Sequence, residues 1–121
     1  MRLFRMMKVD DTGSKPRIGD TFGRLGVRPS TRTTGTVFDI PVDPTGVVHP
    51  GPDGLSTFDS ANRPDPKLVD WVIETDDLPP DLAVVPSATT EGRYHIVPRR
   101  PMTLAEYQQL LAATQDDWEP V

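Results

Sequence analysis

The stretch GLSTF, Gly54–Phe58, decides the fold because it marks the point where a turn becomes a strand. Gly54 allows the backbone to approach a neighbouring segment closely at the strand entrance. Successive strand residues point to opposite faces, so the hydroxyls of Ser56 and Thr57 face opposite sides of the sheet. The residues alone leave two interpretations open, a plain strand start and a binding element that holds a substrate.

Short strands are predicted on both sides of GLSTF. Fourteen prolines and nine glycines in 121 residues favour many short elements over a helix bundle. Alternating apolar residues, and runs rich in β-branched and aromatic residues, are typical of strands. Such segments lie at Arg2–Val9, Thr36–Val42, 47–51, Lys67–Glu74, Leu82–Pro86 and Arg93–Pro98.

The C-terminal segment predicts one amphipathic helix. Thr103 and Glu106 have the spacing of a capping box at its N-terminus. One face of the helix carries residues at spacings of three and four, namely Leu104, Tyr107, Leu111, Thr114 and Trp118. We therefore expect an α+β fold in one domain, residues 1–121, with a small, twisted, mostly antiparallel β core closed by this helix.

Charge is distributed unevenly along the chain. Residues 1–32 hold eight Lys/Arg against three Asp, a balance of +5, whereas residues 33–121 have a balance of −10. A basic segment on an acidic protein suits a small anionic ligand, although a solvated basic loop has the same composition. The formal net charge of −5 argues against non-specific binding of nucleic acid, which requires a basic surface.

Composition also bears on the compartment and on metal binding. No stretch approaches the ~20 apolar residues of a membrane span, and Arg2, Arg5 and Lys8 interrupt any apolar signal sequence. The chain has no cysteine, which excludes disulfides and cysteine-based zinc sites. We therefore expect a protein that acts in the cytoplasm and uses no metal.

The two histidines, His49 and His95, leave another pair of interpretations open. Imidazole titrates near neutral pH, so two histidines that met in the fold could act as acid and base in RNA cleavage. The interpretation favoured by the residues is that each is a structural residue, since neither lies in a recognisable motif.

Four segments, taken in chain order, resemble a known family. LFR at 3–5, DGLSTFD at 53–59, LPPDLAV at 78–84 and RYHIVPRRPM at 93–102 resemble the type VI secretion effector toxins. That family has an ADP-ribosyltransferase-like fold of the diphtheria-toxin kind. The resemblance covers residues 2–9 and 51–102, about half of the chain.

The resemblance implies a set of site residues. Arg5 corresponds to the first-strand arginine that holds the phosphates or ribose of NAD, and Ser56 to the family serine. Arg93 stands where the family has a histidine, just before the family tyrosine, and a histidine follows that tyrosine. The candidate catalytic residues are Ser56, Thr57, Arg93 and His95, and the candidate NAD-binding residues are Arg5, Gly54, Leu55 and Tyr94.

The resemblance also implies a function. Such a toxin uses NAD as its substrate, modifies an intracellular target, arrests growth, and is neutralised by an immunity protein or antitoxin. Glu74 and Glu91 are candidates, by position only, for the acid that assists the reaction. The alternatives are a non-enzymatic binding module with a degenerate NAD cleft and a histidine-dependent RNase toxin.

Overall fold

The computed structural model describes residues 1–30 and 39–121 of the chain. The strands in these ranges are β1 Arg2–Met7, β2 Pro29–Ser30, β3 Ile40–Pro41, β4 Val47–Val48, β5 Leu55–Phe58, β6 Val69–Glu74, β7 Leu82–Pro86, β8 Arg93–Pro98, β9 Met102–Thr103 and β10 Glu119–Pro120. Helix α1 spans Leu104–Ala112, and short 3-10 turns lie at Thr75–Asp77 and Gln115–Asp117. Within the described ranges, no helix has the length and apolar character needed to cross a membrane.

A six-stranded sheet forms the centre of the fold. Its strand order is β10-β6-β1-β5-β8-β7, and every neighbouring pair is antiparallel. Two small sheets join the loops, β2 with β3 in parallel and β4 with β9 antiparallel. The predicted α+β class, with a mostly antiparallel core and one C-terminal helix, is therefore confirmed.

Most of the predicted strands are confirmed, with shifts at their ends. The segments Leu82–Pro86 and Arg93–Pro98 form strands with the predicted bounds. In contrast, β1 ends at Met7 instead of Val9, and β6 begins at Val69 instead of Lys67. Of the predicted strand Thr36–Val42, residues 36–38 lie outside the described residues, and β3 covers two of the remainder. The ends shift because strand ends depend on the partner strand as well as on local sequence.

One face of the sheet is buried by alternating apolar residues. Leu3 and Met7 of β1 are fully buried, as are Trp71 and Ile73 of β6 next to them in the sheet. Helix α1 packs into the same cluster through apolar side chains on one face. The apolar residues that recur every two positions in the strands therefore pack in one core with those that recur every three or four positions in the helix.

The predicted helix is correct at its start and too long at its end. The Thr103 hydroxyl accepts the N–H of Glu106 at 3.1 Å, as an N-cap does. The reciprocal half of the capping box is not formed, because the Glu106 carboxylate pairs with Arg100 at 2.8 Å. Beyond Ala112 the Thr114 hydroxyl donates to the Leu111 carbonyl at 2.6 Å, and the chain tightens into a 3-10 turn.

Tyr107 joins the helix to the entrance of β5. Its buried hydroxyl accepts the N–H of Leu55 at 3.1 Å and donates to the carbonyl of Ile96 at 2.5 Å. Leu55 and Ile96 face each other across β5 and β8, so one hydroxyl satisfies two backbone groups of adjacent strands. Burial raises the pKa of the Tyr107 hydroxyl well above its ordinary value, so it stays a neutral donor.

We expect Tyr107→Phe to lower the free energy of unfolding by about 2 kcal/mol, because it leaves one buried N–H and one buried carbonyl without a partner. Thermal unfolding followed by circular dichroism measures the effect. Tyr94→Phe is the matched control, since the structure gives the Tyr94 hydroxyl no hydrogen bond within the described ranges. Equal midpoints for the two variants would show that the Tyr107 hydroxyl does not hold the strand entrance.

Candidate functional site

A cleft opens where β1 and β5 stop pairing. The two strands pair at a single position, Phe4 with Phe58, whereas β1 pairs with β6 along all six of its residues. Beyond that position a side chain connects the two strands. The Arg5 Nη1 atom donates to the Ser56 carbonyl at 2.9 Å.

Arg5 is a fixed cation on the floor of this cleft. Its Nη2 atom donates to the Arg24 carbonyl at 3.0 Å, so the guanidinium links β1, β5 and the loop that follows β1. Burial lowers the pKa of Arg5 to about 10, partly offset by the attraction of Asp39. The half-buried guanidinium group therefore stays charged at neutral pH.

The cleft has two arms that share one set of residues. Those common to both arms are Arg5, Met6, Phe22 and Ser56. One arm, here called the arginine arm, has a volume of about 190 Å³ and adds Gly23, Arg28, Asp39 and Arg93. The other, the phenylalanine arm, has a volume of about 280 Å³ and adds Phe58, Asn62, Asp65 and Leu68.

The arginine arm carries an excess of positive charge. It is lined by three guanidinium groups and by one carboxylate, Asp39, which already accepts the backbone N–H and Nε of Arg28 at 2.7 and 3.3 Å. The buried Nε atoms of Arg5 and Arg93 have no hydrogen-bond partner within the described ranges. The excess of positive charge among the lining residues makes the arm suited to an anion rich in acceptor oxygens.

Aromatic side chains line the phenylalanine arm. Phe22 is 68% exposed, an unusual state for a large apolar residue, and it lies at the junction of both arms. Phe58 lines the other side, with the Arg93 guanidinium 5.3 Å from its ring centroid. The arm therefore offers ring surfaces to a planar ligand.

A family model described as Tse2 ADP-ribosyltransferase toxin matches residues 3–118. The chain belongs to this family. A search of curated proteins finds no match. The resemblance noted in four short segments thus extends over nearly the whole chain, and the Tse2 family implies NAD as the substrate.

Three of the site residues predicted for this Tse2-family chain are brought together by the fold. Arg5, Ser56 and Arg93 all line the arginine arm, although they belong to three different strands. Their roles in the reaction stay predictions. The sequence missed Phe22 and Arg28 as residues of the cleft, and the excess of arginine in residues 1–32 was a signal for Arg28 alone.

Four other predicted site residues lie in or beside the core. Leu55 and Thr57 are fully buried, and the Thr57 hydroxyl donates to the Tyr94 carbonyl at 3.0 Å. Tyr94 packs against the hydrophobic core, and Gly54 lies against the backbone of β8. Neither arm is lined by any of the four, so their contact with NAD stays a prediction that the geometry does not favour.

His95 lies opposite Ser56 in the β5–β8 ladder, so the two side chains share a face of the sheet. Arg93, two residues earlier on the same strand, shares that face. The His95 Nδ1 atom is 3.3 Å from the Gly54 carbonyl, whereas the other histidine, His49, pairs with Asp43 at 2.7 Å. The two histidines thus have different partners, which does not favour the RNase alternative.

The carboxylates of the cleft are aspartates. Asp39 lines the arginine arm and Asp65 the phenylalanine arm, whereas Glu74 bonds the exposed Arg2 at 2.8 Å in a separate cavity. Among the described residues, no group of three or more potential ligands is arranged to hold a metal. The expectation of metal-free chemistry stays a prediction.

Proposed function

We propose that the protein binds NAD in the cleft between β1 and β5, transfers ADP-ribose to an intracellular target and thereby arrests growth. The observation that carries the proposal is the pair of arms that meet at Ser56, one cationic and one aromatic. NAD combines a pyrophosphate with planar rings, and the two arms match these two chemistries.

The pyrophosphate belongs in the arginine arm. Guanidinium groups bind phosphate oxygens through charge-assisted hydrogen bonds, and their planar fork suits two oxygens at once. Arg5 and Arg93 both line this arm, so their positive charges attract a phosphate, although the terminal nitrogens of Arg5 already donate to two backbone carbonyls. Arg28 is already tied to Asp39, so it contributes mainly charge.

The nicotinamide end belongs in the phenylalanine arm. Phe22 and Phe58 offer faces for stacking, which is worth about 1 kcal/mol per aromatic pair beyond the area buried. Ser56 lines both arms, so its hydroxyl is placed to orient the ribose between the ring and the pyrophosphate. This placement agrees with Ser56 being a candidate catalytic residue by the family resemblance.

The reaction breaks the bond between the ribose C1′ and the nicotinamide nitrogen. The bonding electrons leave with nicotinamide, positive charge develops on the ribose, and a nucleophile of the target attacks C1′. Preplaced groups that oppose this charge lower the barrier. His95 stays a candidate for shaping this end of the site, because it shares the face of Ser56.

The remaining predicted residues support the site from behind. Gly54, Leu55, Thr57 and Tyr94 fix β5 against β8 through close backbone contact, burial and the hydrogen bond from the Thr57 hydroxyl. In this role they position Ser56 without touching the substrate.

A cognate immunity protein or antitoxin would neutralise the toxin most simply by filling the cleft. The arginine arm favours a partner that inserts an acidic side chain, because opposite charges steer association and fix the docking register. The exposed Phe22 provides an apolar contact at the same opening.

The proposal is tested with Ser56→Ala, on growth after induced expression and on nicotinamide release from NAD. We expect wild type to arrest growth and Ser56→Ala to release nicotinamide at least tenfold more slowly, the effect of losing one oriented hydrogen bond to the reacting group. Ser60→Ala, at an exposed serine two residues beyond β5, is the matched control and should remain as active as wild type.

Two results would count against the proposal in different ways. Equal activity of Ser56→Ala and wild type would remove Ser56 from the site. A folded wild type that neither arrests growth nor binds NAD in a calorimeter would instead favour the non-enzymatic binding module.

A further inference from the structure

One wall of the cleft is a segment without a strand neighbour of its own in the large sheet. This wall segment, residues 22–28, supplies Phe22, Gly23 and Arg28 to the arms and the Arg24 carbonyl that accepts from Arg5. Its geometry therefore determines the width of the arginine arm.

Gln108 of α1 holds this wall segment through both ends of its side-chain amide. Its Oε1 accepts the N–H of Val27 at 3.0 Å, and its Nε2 donates to the Val27 carbonyl at 2.7 Å. Val27 is fully buried, so both of its backbone groups depend on protein partners. The Gln108 side chain thus makes the two hydrogen bonds to Val27 that the backbone of a neighbouring strand would otherwise make.

The packing around Gly26 leaves little room for another arrangement. A Cβ placed on Gly26 would lie 2.0 Å from the Gly19 carbonyl oxygen and 3.0 Å from the Gln108 Oε1. On the other side of Val27, the Arg28 N–H donates to Asp39 at 2.7 Å. The Gln108 amide therefore holds the wall segment at the residue directly before Arg28.

The residue next to Gln108 in the helix holds the opposite side of the cleft. Tyr107 accepts the N–H of Leu55, the residue before Ser56, and Gln108 bonds the residue before Arg28. Consecutive residues of one helical turn are therefore bonded to the two walls that carry Ser56 and Arg28.

We propose that Gln108 is a positioning residue for NAD, and that α1 sets the width of the arginine arm through Tyr107 and Gln108 together. The inference rests on the proposed function of the cleft. Without the Gln108 amide the wall segment loses its bond to the helix, and NAD must restore the arrangement when it binds. The cost then falls on substrate affinity, because saturating NAD rebuilds the same site.

The test compares steady-state NAD turnover by Gln108→Ala and Gln108→Glu. At pH 8 both should raise KM for NAD about tenfold with little change in kcat, as expected when two hydrogen bonds that prearrange a site are lost. Glutamate recovers both bonds only when its carboxyl is protonated. The KM of Gln108→Glu should therefore approach that of wild type at the same pH as the pH falls towards about 4, the ordinary pKa of a glutamate carboxyl.

Two glutamines of the same region provide matched controls. Gln109→Ala changes an exposed neighbour on α1 and should behave as wild type. Gln115→Ala removes a 2.9 Å bond from its Nε2 to the Pro16 carbonyl, in the same loop but outside the two arms. Gln115→Ala should lower thermal stability without raising the KM for NAD. If Gln108→Ala also lowers stability and leaves the KM unchanged, the positioning role is overturned.

Amide hydrogen exchange separates this inference from the proposed function. In Gln108→Ala the Val27 and Arg28 amides should exchange faster, while Gln115→Ala should leave them protected. Unchanged exchange in Gln108→Ala would overturn the inference, whatever the enzyme does with NAD. If wild type does not turn over NAD but the Val27 and Arg28 amides of Gln108→Ala still exchange faster, α1 does hold the wall segment. Only the proposed function is then overturned.

Discussion

Arg5→Ala should abolish growth arrest and reduce nicotinamide release at least 100-fold. The substitution removes the cation of the cleft floor together with its bonds to the Ser56 and Arg24 carbonyls. Loss of a charged hydrogen-bond donor at a half-buried site costs up to about 3 kcal/mol, which corresponds to about two orders of magnitude in rate. Turnover is measured well below the unfolding midpoint of each variant, so that only folded protein is compared.

Companion variants separate the charge of Arg5 from its bulk. Arg5→Met keeps much of the side-chain volume without charge, and Arg5→Lys keeps charge without the planar fork that reaches two carbonyls. We expect both to be folded, with Arg5→Met inactive and Arg5→Lys partly active. Arg2→Ala, at an exposed arginine of the same strand, is the control. An active Arg5→Ala would place the NAD phosphates elsewhere.

Gly54→Ala should destabilise the protein by about 3 kcal/mol, near the upper end for added bulk in a packed site. A Cβ at this position would lie 2.3 Å from the Ile96 carbonyl oxygen and 2.9 Å from the Tyr107 hydroxyl. The Ile96 oxygen belongs to the backbone of β8, so β5 must move away and the Tyr107 bonds must lengthen. Thermal and denaturant unfolding both report the loss.

Gly51→Ala is the matched control for Gly54→Ala. A Cβ at Gly51 would meet nothing nearer than the His49 carbonyl oxygen at 4.0 Å, so its effect should stay within about 0.5 kcal/mol. If Gly54→Ala unfolds at the same midpoint as Gly51→Ala, the close approach of β5 and β8 is not needed for stability. Loss of NAD binding at full stability would instead support the direct binding role first predicted for Gly54.

The sequence was a good guide wherever the deciding interaction is local. Alternation predicted β1, and the β-branched and aromatic residues of Leu82–Pro86 and Arg93–Pro98 predicted β7 and β8, because both signals lie in neighbouring residues. The Thr103 cap was predicted because its hydroxyl reaches the N–H only three residues ahead. The helix end was missed, since the spacing that continues to Trp118 also fits a 3-10 turn that carries Thr114 into the core.

The site was predicted only in part for a related reason. Arg5, Ser56 and Arg93 followed from the family resemblance, and the fold brings them into one arm. The burial of Thr57 was not predictable, because a strand pattern indicates two faces but not which of them the helix covers. Phe22 had no local signal, since an exposed phenylalanine has the same sequence pattern as a buried one.

The sequence by itself determined the α+β class, the order of the central strands in the chain, the capped helix and, through resemblance, the toxin family. Only the tertiary structure decided that β1 and β5 stop pairing after Phe4 and Phe58, and that the Arg5 side chain connects the two strands beyond that point. The same holds for the bond between Gln108 and Val27. Arg5 and Ser56 are 51 residues apart in the chain, and Val27 and Gln108 are 81 apart. Such partners meet only when the core has formed, so no local sequence pattern predicts these bonds.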